Sequence, residues 1–116
     1  MTDYQLDTEI NELDLYNLAG CFDHYNQYVH KLGLSEANQA DITRTEFLER
    51  SAQSGMREAL RLWRQHNPSA ATFRALLDIV QSLGKSQVAQ NIIDYIKENI
   101  VSPGRNPLVS VSCVVN

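Results

Sequence analysis

Apolar residues return every third or fourth position along most of residues 10–100. The first run reads Ile10, Leu13, Leu18, Cys21, Phe22, Tyr25, Tyr28, Val29, Leu32. A later one reads Phe73, Leu76, Leu77, Val80, Leu83, and a third reads Val88, Ala89, Ile92, Ile93, Ile96, Ile100. That spacing gathers the apolar side chains on one face of a helix of about 3.6 residues per turn, and such a face is buried by packing against other helices. No Asn-Gly or Asp-Gly pair marks a hairpin turn. The pattern therefore predicts an all-α bundle around one core.

Punctuation residues divide the pattern into six predicted helices. The first runs from about residue 10 to 32, is bent or divided at Gly20, and stops at Gly33, which tolerates a left-handed backbone. Ser35 caps a second over roughly 36–44. Thr43 and Glu46 have capping-box spacing and predict a third, with Phe47 and Leu48 turned inward. Ser51–Gly55 reads as a turn, and Ser54 caps the fourth helix over about 55–66, which Asn67-Pro68 ends. Ser69 or Thr72 caps the fifth, and Gly84 closes it. The sixth opens at Ser86 and ends at Ser102-Pro103-Gly104. Residues 1–9 are expected to be a flexible lead, 10–100 the bundle, and 101–116 a flexible tail with strand propensity at its end. The expected core includes Leu18, Tyr25, Leu32, Leu60, Trp63, Phe73, Leu76, Leu77, Val88 and Ile92.

The chain's 116 residues suit one domain, long enough to hold a core without disulfides or metal. Two cysteines make no disulfide scaffold and point to a reducing compartment. No apolar run is long enough to span a membrane, and the start has no secretory signal pattern, so the expected location is cytoplasmic. Net charge is −4, which argues against nucleic-acid binding. Residues 1–50 carry ten acids against three bases, and residues 51–116 carry seven bases against four acids. A chain so divided could associate head to tail with copies of itself; alternatively, both signs intermix on the folded surface.

The chemistry-bearing residues are few. Arg57, Arg61 and Arg64 stand at i, i+4, i+7 and form one stripe on the fourth helix. Arginine's planar fork suits carboxylates at protein interfaces; the bland reading is a solvated face with a Glu58–Arg61 pair. Trp63 shares an arc with Met56, Ala59 and Leu60 and belongs to the core. Cys21 and His24 could place two metal ligands together, but His66 and Cys113 are remote in sequence, so no metal or other cofactor is expected and Cys21 reads as a small buried hydrophobe. No nucleophile, paired-carboxylate or phosphate-loop motif occurs, which predicts a protein that is not an enzyme. Cys113-Val114-Val115-Asn116 fits a prenylation pattern, and a membrane would be a partner only if Cys113 were lipidated.

Three stretches together resemble the death domain of the death-fold superfamily. HYNQYVHKLGLSEANQ at 24–39 is similar to that family's aromatic-x-x-Leu-Ala-x-x-Leu-Gly-Leu-Ser segment, with Tyr25 where a Trp is usual. MREALRLWRQHN at 56–67 is similar to its fourth helix, and ATFRALLDIVQSLGKSQVAQNI at 71–92 to its fifth and sixth. The stretch from Leu48 to Trp63 is longer than the family pattern. The resemblance implies a six-helix antiparallel Greek-key bundle without cofactor. It implies homotypic or heterotypic association with other death domains, and oligomeric assembly in cell-death or innate-immune signalling. It further implies that the Arg57, Arg61, Arg64 face meets an acidic patch on a neighbour, for which Asp41, Glu46 and Glu49 are candidates. A related caspase-recruitment or death-effector module, or a helical domain with a ligand pocket, are the alternatives.

Overall fold

The computed structural model describes residues 2–100. Among them are six α-helices and no strand: α1 (Asp3–Asp7), α2 (Glu12–Leu18), α3 (Glu36–Glu49), α4 (Ala52–His66), α5 (Phe73–Ser82) and α6 (Ser86–Asn99). α3 lies along α4, α5 along α6, and α2 against α4. Their inner faces close on one cluster that includes Leu18, Tyr25, Leu32, Leu60, Trp63, Phe73, Leu76, Leu77, Val88 and Ile92.

The last three helices carry the apolar faces that the sequence predicts; α5 keeps its expected limits, whereas α6 ends at Asn99, ahead of the expected Ser102-Pro103-Gly104 stop. α4 buries Met56, Ala59, Leu60, Leu62 and Trp63. α5 is capped by the Thr72 hydroxyl, which accepts from the Ala75 N–H. α6 buries Val88, Ala89, Ile92 and Ile96, while Ile93 and Ile100 are half-buried.

The first half differs from the expected pattern in four ways. Residues 3–7, expected to fray, form α1 under a complete capping box between Thr2 and Gln5. Arg74 on α5 bonds Asp3 at 3.0 Å and Asp7 at 2.8 Å, and the Ile10 N–H donates to the Ala71 carbonyl. The expected long first helix ends at Leu18. Residues 19–21 and 25–27 are 3₁₀ turns, with Phe22 extended between them. His24 caps the start of the second turn, its Nδ1 accepting the Asn26 N–H. The apolar spacing still buries Tyr25, Tyr28, Val29, Leu32 and Leu34. Gly33 closes this segment at φ 72°, with the Gly33 N–H on His30 and the Leu34 N–H on Val29, the paired bonds of a Schellman turn.

The predicted second and third helices are one, α3, because Thr43 sits in mid-helix and its hydroxyl donates to the Gln39 carbonyl instead of capping. Phe47 and Leu48 consequently face outward, at 77% and 69% exposure. The predicted Ser51–Gly55 turn is the first turn of α4, capped by Ser51 and not by Ser54. Gly55 lies under α3: a Cβ there would stand 3.2 Å from Glu46 and 3.3 Å from the Tyr25 ring, so the absent side chain lets the two helices approach.

Candidate interaction surface

The Arg stripe lies on α4 where α2 and α3 flank it, and the structure supplies each guanidinium with a carboxylate. Arg61 takes Glu58 side-on, Nε to Oε1 at 3.0 Å and Nη2 to Oε2 at 2.6 Å. Those bonds hold the Arg61 guanidinium still further above its ordinary value, against a smaller opposing effect of burial. Arg64 bonds Glu12 of α2 at 3.0 Å, and Arg57 bonds Glu49 of α3 at 3.4 Å. Arg57 also stands 5.9 Å from the centre of the Tyr16 ring, within cation–π reach. The face is thus charge-balanced, held by exposed pairs that exchange partners at little cost.

Between these charges the surface is apolar. Leu13 and Tyr16, on successive turns of α2, are 68% and 56% exposed. They border a shallow recess with Leu15, Arg57, Glu58 and Arg61. Leu13 corrects the expectation that it belonged to the buried face of the first helix. Periodicity counts any leucine in phase as buried; only the angle at which α2 meets α4 shows which edge stays outside.

The three acids do not form one patch. Asp41 bonds Arg44 on the same helix at 2.7 Å. Glu49 is the partner of Arg57. Glu46 turns inward, its Oε2 buried 3.2 Å from His24 Nε2 and without a hydrogen bond.

Two links escaped the sequence pattern. Asp14, buried, caps α2 with Asn11 and accepts the Tyr95 hydroxyl of α6 at 2.6 Å. Burial, then the Asp14 bond, pushes the Tyr95 hydroxyl up. Asp23 accepts from the buried Tyr28 hydroxyl and from Lys85 Nζ at 2.9 Å, tying the 3₁₀ segment to the α5–α6 turn. No spacing rule joins residues so distant in sequence.

Cys21 is half-buried rather than buried, and burial pushes its thiol up. Among the described residues no group of His, Cys, Asp and Glu could hold a metal ion. No described helix is long and apolar enough to cross a membrane. Cys113 and the tail expected over 101–116 lie outside the described residues.

The comparison with known families names the class of this helical bundle. The family model for the death domain matches residues 12–96, from the start of α2 to the buried end of α6. The chain belongs to the death domain family, whose members are non-catalytic interaction modules. No curated protein and no solved structure matches it.

Proposed function

We propose that this domain assembles with other death domains, copies of itself included, through the α2–α4 face, and that it works in cytoplasmic cell-death or innate-immune signalling. The observation that carries the reading is the exposed pair Leu13 and Tyr16 set among Arg57, Arg61 and Arg64 within the matched region. Aromatic and arginine side chains dominate interface energetics when an apolar centre is ringed by polar groups. The arginines exchange their own surface carboxylates for those of a partner. In a head-to-tail array, Asp41 and Glu49 of the next copy are the exposed acids that supply them, and Glu46, turned toward His24, contributes least.

The test is capture of death domains from the same source by the wild-type domain and by Arg61→Glu. The variant replaces a side-on partner of Glu58 by a like charge. It should lose capture while its helicity and melting stay nearly unchanged. Equal capture by both proteins would remove the α2–α4 face from the account.

A further inference from the structure

The outward face of α3 carries a second apolar surface, separate from the α2–α4 face. Ile42 is the buried residue of α3, and Asn38, Gln39, Thr45 and Glu46 flank it, half-buried. At about 100° per residue, the opposite side is made of Ala37, Ala40, Arg44, Phe47 and Leu48. All five are exposed. Asp41 stands at the edge of this side and bonds Arg44. Small residues thus occupy the N-terminal half of the face and large apolar ones the C-terminal half, with an acid and a base near the middle.

That order is self-complementary under a two-fold axis. Two α3 helices laid antiparallel, with the axis crossing between Ile42 and Thr43, bring Leu48 of each copy onto Ala37 of the other and Phe47 alongside Ala40. The same placement sets Arg44 of each copy opposite Asp41 of the other. Large side chains meet small ones, and each charge meets its opposite twice. We propose that the outer face of α3 is a closed, isologous dimer contact with a second copy of this chain. An isologous contact consumes the same patch on both copies and stops at two, unlike the head-to-tail array proposed for the α2–α4 face.

The contact is small. A 14-residue helix is about 21 Å long, and one face of it falls below the roughly 800 Å² per partner of a standard interface. The dimer is therefore weak and concentration-dependent.

Sedimentation velocity over a concentration series tests it, run in the Arg61→Glu background so that the α2–α4 contact does not contribute, using charge variants at surface positions that leave the bundle intact. Asp41→Arg gives a face with two guanidiniums, and Arg44→Asp a face with two carboxylates. Each variant alone should lose the dimer, because like charges meet across the axis. Mixed in equal amounts, the two should recover it as a heterodimer. Phe47→Ser should lose it without charge change, and the Arg61→Glu background, altered only on the other face, should keep it. An Arg61→Glu domain that stays monomeric at every concentration overturns the proposal and leaves this face to some other occupant. A mixture of the two charge variants that fails to dimerise where the Arg61→Glu domain does overturns the antiparallel pairing. Loss of capture by Arg61→Glu with the α3 dimer intact separates this contact from the death-domain assembly proposed above.

Discussion

Trp63 and Arg61 sit two positions apart on α4 and are expected to answer mutation in opposite ways. Trp63 is buried among the core residues. Truncating it to Ala removes a large packed ring and costs about 3–5 kcal/mol, against a total of about 5–15 kcal/mol for a typical domain. Urea denaturation should show a large fall in midpoint for Trp63→Ala, and for Arg61→Glu a change within about 0.5 kcal/mol. Asp23 gives a pH-dependent test. Burial pushes its carboxyl up, but the bonds from Tyr28 and Lys85 and the Lys85 charge outweigh that and hold it below the ordinary aspartate range. Because the folded value is depressed, this stability is fully present above the unfolded value of about 3.9 and is lost as pH falls from there through the folded value. Asp23→Asn should therefore flatten the acid limb of a melting-temperature profile and lower the plateau above pH 5. An unchanged acid limb would mean that the Tyr28–Asp23–Lys85 network does not couple the 3₁₀ segment to the α5–α6 turn.

At the scale of elements, α3 and α1 are where packing departs from pattern. Ile42 is the fully buried side chain of α3, so Ile42→Ala should cost about 2–5 kcal/mol. Phe47→Ser and Leu48→Ser, on the outer face, should leave the urea midpoint nearly unchanged; a large loss at either would restore the inward orientation read from the sequence. α1 is held by Leu6, half-buried against the core, by Gln5 on the Ile100 carbonyl, and by the two ion pairs of Arg74. Exposed pairs of this kind contribute little. Hydrogen exchange should show α1 opening first, and Arg74→Ala should lower its protection only slightly while the bundle melts as before. α5 was legible because a wide apolar stripe, the Thr72 cap and the Gly84 stop agree in it; α4 and α6 were legible chiefly by their apolar stripes, since α4 is capped by Ser51 rather than Ser54 and α6 has no side-chain cap. α3 was not, since its outer face is as apolar as its inner one and the Thr43–Glu46 capping signal lies inside it. α1 had one local signal, the Thr2–Gln5 capping-box spacing, but its tertiary partners Arg74 and Ile100 are more than sixty positions away. The Arg stripe itself was readable from i, i+4, i+7 spacing and so was Glu58 for Arg61, but Glu12 and Glu49 reach it only through the packing of α2 and α3 on α4.

At the scale of the whole described bundle, the polar exterior opens on apolar side chains at Leu13–Tyr16 on α2 and at Phe47–Leu48 on α3. The acidic first half and basic second half of the chain do not become two opposed poles. Arg57, Arg64 and Arg74 each bond a carboxylate of the acidic half, so much of the sequence asymmetry is neutralised within the fold. In the proposed α2–α4 contact the arginines exchange these carboxylates for a partner's around an apolar centre, an exchange that weakens as salt screens it. The two proposed contacts also differ in kind: the α2–α4 face grips a different surface and can propagate, whereas the α3 face meets itself and closes. Both draw on Asp41, so a copy paired through α3 has that acid engaged and unavailable to the arginines of a third. The most direct measurement of the central claim is light scattering on the Arg44→Asp domain, whose α3 pairing is removed, across concentration and salt with and without a captured death domain. The account predicts assemblies that grow with concentration, shrink with salt and vanish when Arg61→Glu is added. A protein that stays monomeric throughout and binds no death domain would contradict it.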